Sequence, residues 1–173
     1  HIEVVEQVFN DTGEIWKAEF YGGVGTRLKT AMETRQGELD PAVAKALEGV
    51  YSLSMTDYYE QVFERFQFRD QVRALFENYD ILATPALPVT AFDVGLNVPP
   101  GHEDQDAVSW SYYTYPFNLT GHPAVSVNAG FNAEGLPVGL QLVARPLAEE
   151  TLFSLACAFE QQDPEADRRP SLS

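Results

Sequence analysis

The sequence predicts an α/β domain in which helices flank a mixed β-sheet. Apolar residues make up 45% of the 173 residues and charged residues 21%, which is ordinary for a globular chain with one core. Short segments rich in β-branched residues alternate with longer segments of helical period. Residues 132–135, ending in glycine, are typical of a hairpin loop between two strands.

The chain opens with a predicted strand and a short predicted helix. Residues 2–9 carry valine and isoleucine between acidic residues, a pattern that favours a strand with one buried face. Residues 14–21 favour a helix. The glycine-rich run at 22–25 is expected to end or kink that helix as a helix–helix connection. Its spacing matches neither common phosphate-binding glycine motif, so a phosphate site is disfavoured.

Two further helices are predicted from their capping residues. Asp40 stands before a proline, as at the start of a helix, and predicts a helix over 41–52. Asp57, with a glutamate three residues later, predicts a capping-box start for a longer helix over 57–78.

The second half is predicted to supply most of the sheet. Residues 80–85 favour a short buried strand, and the proline-rich stretch 85–107 favours a long loop. Strands are predicted over 124–131 and 138–143, and a last helix over 149–162. The inward side of that helix is predicted to comprise Leu152, Phe153, Leu155, Ala156 and Phe159.

Charge and cysteine content exclude several classes of protein. The chain has 26 acidic and 11 basic residues, for a net charge of −15, which disfavours binding to nucleic acid or to anionic membranes. No apolar run is long enough to span a bilayer. The single cysteine, Cys157, cannot form an internal disulfide, and it fits a reducing, cytoplasmic location.

The residues that could carry chemistry do not form a complete set. The three histidines lie far apart in sequence, so no metal site or cofactor is predicted. The acidic run 103–106 is interpreted as a solvated loop, His122 as a structural loop residue and Cys157 as a core residue. No Gly-x-Ser-x-Gly elbow occurs, and neither a Gly-Ser nor a Ser-Ser pair is present.

Two motifs in the second half resemble the amidase signature family. Residues 118–127 read NLTGHPAVSV and residues 135–142 read GLPVGLQL, in the order and spacing of the C-terminal part of that family. Residues 79–86 (YDILATPA) resemble the family's strand that ends in Thr-Pro, and residues 3–6 (EVVE) resemble the strand that opens its last third. Two positions depart from the pattern, Asn128 where proline is usual and Ala144 where glycine is common.

The resemblance implies a serine hydrolase that acts on carboxamides through a Ser–cis-Ser–Lys triad. This chain has no serine-rich loop of that kind, and its lysines, Lys17, Lys29 and Lys45, lie outside the family's lysine motif. We therefore assign no catalytic residue. Residues 1–173 are expected to be the C-terminal fragment of a single amidase domain, inactive alone, and expected to self-associate through the cut edge of its sheet.

The resemblance also places a candidate substrate-binding stretch before the NLTG motif. The residues are Trp110, Ser111, Tyr112 and Tyr115, whose aromatic rings suit an apolar or aromatic amide as the small-molecule partner. Core packing is the competing interpretation of these rings.

Two other functions stay open from the sequence. One is a fragment of the A subunit of glutamyl-tRNA(Gln) amidotransferase. Such glutamine-using relatives are expected to carry an acid near Ser111, and the absence of that acid from this chain favours a general amidase. The other is a non-catalytic binding domain.

Overall fold

The computed structural model describes residues 1–5, 9, 11–164 and 168. Within these residues the chain forms helices and strands in an α/β arrangement, as predicted. The helices are α1 (Gly13–Arg35), α2 (Pro41–Tyr51), α3 (Met55–Leu75), α4 (Tyr115–Thr120) and α5 (Glu149–Gln162). The strands are β1 (Ile81–Pro85), β2 (Ala124–Phe131) and β3 (Pro137–Ala144), and short 3-10 helices cover Gln36–Glu38 and Ser109–Ser111.

The described residues form a sheet of three strands in the order β1-β3-β2. β3 lies in the middle and runs antiparallel to both neighbours, with Gln141 opposite Thr84 on one side and Ser126 on the other. The sequence predicted a mixed sheet, whereas both pairings in the described part of the chain are antiparallel. β1 and β2 do run in the same direction, but β3 separates them.

Helices cover both faces of the sheet. On one face, Val127 and Leu142 pack against Ala156 of α5. On the other, Val143 joins Phe68 and Val72 of α3, Phe76 directly after α3, and Phe117 of α4 in the largest buried cluster of the described residues. Side chains alternate between faces along β3, so its two neighbouring residues Leu142 and Val143 enter different cores.

Helix α1 continues through the glycines that were expected to end it. Gly22, Gly23 and Gly25 all lie inside the helix, so the predicted helix–helix connection is wrong. A side chain at Gly25 would meet Leu47 and Tyr51 of α2 at 3.4 Å. The missing side chain lets α2 approach closely, and this contact offsets the low helix propensity of glycine.

The predicted strand over 2–9 is not observed in its described residues. Residues 2–5 and 9 lie outside any strand, and residues 6–8 lie outside the described part of the chain. Ile2 and Val4 are almost fully exposed. A strand needs a hydrogen-bonded neighbour, and none of the described strands pairs with this segment, although Phe9 packs near Leu82 of β1.

The helix caps agree with the sequence in one case and shift in the other. The Asp40 carboxylate accepts hydrogen bonds from the backbone N–H groups of Ala42 and Val43, as the N-cap prediction required. In α3 the N-cap is Ser54, and Asp57 takes the third helical position of the capping box. The helix therefore starts before the predicted residue 57.

The C-terminal elements match their predicted ranges closely. β2 and α5 have the predicted bounds, and Gly135 in the loop between β2 and β3 has a φ of +81°. Within α5, Leu152 and Ala156 are buried, whereas Phe153 and Leu155 are exposed and were wrongly predicted to face inward. One layer of sheet covers only a narrow stripe of this helix. No described helix has the length and apolar character needed to cross a bilayer.

Candidate functional site

An aromatic cavity lies between the sheet and the segment that precedes α4. Its volume is about 640 Å³. Tyr112, Tyr113 and Tyr115 form part of its wall, and Leu82 and Thr84 of β1 form another part. Two of the four candidate substrate-binding residues, Tyr112 and Tyr115, therefore contact this cavity, together with the neighbouring Tyr113. An apolar wall with polar edges suits a ring-bearing ligand.

Tyr115 is the rigid part of this wall. It is the first residue of α4 and is buried, and its ring stacks on Trp16 of α1 with centroids 5.1 Å apart and planes 12° apart. Burial, with the nearby Asp11 carboxylate, raises the pKa of the Tyr115 hydroxyl, so this group is neutral in the folded chain. Its packing with Ile15 and Leu119 also makes it part of the core.

Tyr112 and Tyr113 form the open part of the wall. Their rings lie 4.9 Å apart at 47°, and Tyr112 is exposed whereas Tyr113 is half-buried. Exposed rings at the rim of a cavity can contact a ligand with little reorganisation of the core.

Trp110 and Ser111 lie outside the lining of the cavity. The Trp110 ring packs edge-on against Phe92, with centroids 5.5 Å apart, and its indole N–H donates to the Ala107 carbonyl. The Ser111 hydroxyl donates to the Val108 carbonyl at 2.6 Å. Both side chains stabilise the turn that leads into the tyrosines, so their contribution to the cavity is indirect.

A buried amide beside the cavity was not identified from the sequence. Gln141 of β3 is 4% exposed, and its Nε2 group donates to Thr84 Oγ1 at 2.9 Å and to the Tyr113 carbonyl at 2.7 Å. The sequence signal is a single amide within an otherwise apolar strand. That pattern shows a polar contact on one face but does not identify its partner.

A second and larger cavity has an acidic rim. It measures about 820 Å³ between α1, α2, α3 and the loop that was interpreted as solvated. Glu103 and Asp104 are exposed, as that interpretation requires, whereas Asp106 accepts a hydrogen bond from Tyr21 and lies 3.9 Å from Lys17 Nζ. Among the described residues, no three His, Cys, Asp or Glu side chains are grouped so that they could hold a metal ion.

His122 and Cys157 have different surroundings. His122 is buried as a structural residue, stacks on Phe76 and shares a hydrogen bond of 2.8 Å with Thr120. Burial and the positive charge of Arg73 lower the pKa of this histidine. Cys157 is exposed on α5, so its predicted core position is wrong.

Comparison with known proteins reveals a family match over most of the chain. The family model described as Amidase matches residues 19–153. That range includes the three tyrosines of the cavity wall, the three described strands and the first residues of α5.

The curated relatives share the sequence over most of this chain. The chain is 40% identical over 147 residues to the A subunit of glutamyl-tRNA(Gln) amidotransferase from Moorella thermoacetica, which covers 82% of this chain and 29% of that protein. It is 35% identical over 161 residues to the corresponding protein of Thermosynechococcus vestitus, covering 87% and 32%. The chain thus spans about three-tenths of the length of these relatives.

A solved structure of 6-aminohexanoate cyclic dimer hydrolase in complex with its substrate has the same fold. The two structures superpose with a TM-score of 0.80 at 18% sequence identity. The superposition covers 94% of this chain and 37% of the hydrolase chain.

Proposed function

The chain belongs to the amidase signature family, and from that premise we propose that it forms the C-terminal part of a serine hydrolase that cleaves carboxamides to an acid and ammonia or an amine. The observation that carries the proposal is the cavity of about 640 Å³ walled by Tyr112, Tyr113 and Tyr115. Its size and its rings suit the aryl or apolar group of a small amide.

In this proposal the chain binds the substrate and does not attack it. The nucleophilic serine, the cis-serine and the lysine expected of the family would come from the part of the domain that precedes residues 1–173. Stacked on Trp16, Tyr115 presents a fixed surface to the substrate, while Tyr112 and Tyr113 contact the end of the substrate nearer to solvent. A rigid aromatic wall orients the amide carbon for attack, at a small cost in conformational entropy.

The proposal is tested by ammonia release from a panel of amides. The full-length protein that contains this chain is expected to hydrolyse benzamide and phenylacetamide with a lower KM than acetamide. Tyr112→Ala should raise KM for the aryl amides and leave kcat for acetamide nearly unchanged, because an exposed ring adds binding surface without supporting the core. The chain of residues 1–173 alone should release no ammonia. Turnover by this chain, or an equal KM for aryl and aliphatic amides, would contradict the proposal.

A second candidate function is that of the A subunit of a glutamyl-tRNA(Gln) amidotransferase, which the names of the curated relatives favour. In that case the full-length protein would hydrolyse glutamine, and partner proteins would be required to transfer ammonia to glutamyl-tRNA(Gln). Ser111 carries no charge that could hold the amino group of glutamine, so we favour the general amidase. Ammonia release from glutamine, compared with release from benzamide, distinguishes the two.

We further propose that the sheet continues beyond β1 and β2. Each has one neighbour in the described part of the chain, so each presents a row of backbone groups to a further strand. The chain alone is therefore expected to self-associate, which sedimentation velocity would detect as a species larger than a monomer.

We also propose a cytoplasmic location for the protein, supported by the free thiol of Cys157.

A further inference from the structure

A buried amide connects the central strand to the aromatic wall. Gln141 lies opposite Thr84 of β1 in the sheet register, and its side chain stands on the face that carries Val143 rather than the face that carries Leu142. That is the face on which the cavity lies, since Leu82 and Thr84 line it. Gln141 itself contributes no surface to the cavity lining.

Both N–H groups of the Gln141 amide are engaged. One donates to Thr84 Oγ1 at 2.9 Å and the other to the Tyr113 carbonyl at 2.7 Å, and these are the two donors that a carboxamide has. The Thr84 hydroxyl in turn donates to the Pro85 carbonyl at 3.0 Å. The backbone of Tyr113 is thus joined to β1 and β3 through one side chain.

Three hydrogen bonds in the segment that Gln141 holds are local. Thr114 N–H and the Thr114 hydroxyl both donate to the Ser111 carbonyl at 3.0 Å, and Phe117 N–H donates to the Thr114 carbonyl. These bonds shape the turn without relating it to the sheet. The bond from Gln141 to Tyr113 joins the tyrosines directly to the sheet, beside the packing of Phe117 of α4 against Val143 of β3.

We propose that Gln141 is a positioning residue that holds the Tyr113 backbone against the sheet. It thereby sets the width of the aryl subsite, by which we mean the part of the aromatic cavity that would bind the aryl group of the substrate. This inference rests on the proposed amide hydrolysis for its effect on substrates, but its structural part is independent of that activity. Gln141 acts through Tyr113 and contacts no reacting atom.

Hydrogen exchange on the chain itself tests the structural part. Gln141→Met keeps the length of the side chain and removes both donors. Only the bond to the Tyr113 carbonyl reaches residues 108–115, so peptides over this segment should exchange about five- to thirtyfold faster, as expected for one lost buried hydrogen bond. Peptides from α5 should change little. The control is Val127→Ala, which removes buried volume on the opposite face of the sheet and should leave the exchange of residues 108–115 unchanged.

A second variant keeps the test decisive if Gln141→Met does not fold. Gln141→Asn keeps the amide but is one methylene shorter, so it cannot reach both acceptors and should accelerate the same peptides. Unchanged exchange over 108–115 in either folded variant, or the same acceleration in Val127→Ala, would overturn the inference.

Kinetics of the full-length protein test the effect on substrates. Gln141→Met should raise KM for benzamide about five- to thirtyfold while KM and kcat for acetamide change little, because the small amide does not use the aryl subsite. An equal loss for both amides would mean a general structural role and would overturn the inference. If the wild-type protein hydrolyses neither amide, the proposed function fails, and hydrogen exchange still decides whether Gln141 positions Tyr113.

Discussion

Replacing Gly139 by alanine should destabilise the chain because a methyl group has no room there. Gly139 lies in β3, and a Cβ atom at this position would stand 2.9 Å from the Ala86 Cβ and 2.9 Å from the Ser126 Oγ. Carbon atoms in ordinary contact are about 3.5–4.0 Å apart, so the new methyl group would overlap Ala86 by about 0.6–1.1 Å.

The surrounding structure can relieve only part of this overlap. The Ser126 hydroxyl can rotate away, but the Ala86 Cβ is fixed to the backbone, and Ala86 N–H donates to the Gly139 carbonyl at 2.9 Å. Moving Ala86 would therefore lengthen a hydrogen bond at the end of the β1–β3 ladder. Overpacking of this kind costs about 1–3 kcal/mol, which for a chain of this size lowers Tm by about 2–12 °C.

Urea unfolding followed by circular dichroism measures this cost. Gly139→Ala should unfold at a lower urea concentration with an unchanged m-value. The control is Gly23→Ala, because a Cβ at this exposed position inside α1 meets nothing within 4 Å. That variant should gain about 0.5–1 kcal/mol from higher helix propensity. Adding Ala86→Gly to Gly139→Ala should restore part of the loss. A Gly139→Ala chain as stable as the wild type would refute the steric reasoning.

Three further predictions concern stability and reactivity. Asp40→Ala removes the N-cap of α2 and should cost about 0.5–2 kcal/mol in urea unfolding, whereas Asp40→Asn should cost less. Folding lowers the pKa of His122 below its value of 6.5 in the unfolded chain, so the unfolded chain binds more protons in acid. The contribution of His122 to the free energy of unfolding should therefore be complete above pH 6.5 and decrease as the pH falls below it. His122→Leu should lose this pH dependence. Cys157 is exposed and should react with a thiol reagent in the folded chain as fast as in urea; slow reaction would contradict its exposure.

Elements fixed by local chemistry were predictable from the sequence. The bounds of β2 and α5 follow from apolar periodicity and from a turn in which Gly135 takes positive φ. The N-cap of α2 follows from Asp40 before a proline. In each case the residues that decide the structure lie within a few positions of it.

Elements decided by distant contacts were not predictable. Glycine normally weakens a helix, so the run at 22–25 indicated a break, but the close approach of α2 at Gly25 makes the missing side chain an advantage. Likewise, the opening residues have strand composition but no hydrogen-bonded partner strand among the described residues. Composition alone does not reveal whether such a neighbour exists.

The sequence predicted the location of the candidate site but not which of its side chains reach the cavity. A family resemblance located the tyrosine segment, because its motif is contiguous in sequence. It did not separate Tyr112 and Tyr115, which reach the cavity, from Trp110 and Ser111, whose side chains point into the supporting turn. That distinction depends on the backbone path between the 3-10 helix and α4. Residue spacing over so short a segment does not define this path.

The motif GLPVGLQL has separate physical roles on the two faces of β3. Leu140 and Leu142 belong to the apolar cluster that packs against α5. Gly139 and Gln141 lie on the other face, where one provides the space for Ala86 and the other holds Tyr113. The alternation of a strand therefore makes residues 140 and 142 tolerant of apolar exchange, while Gly139 and Gln141 admit few replacements. Substitutions at the first pair should change stability alone, and substitutions at Gln141 should also change the response to aryl substrates.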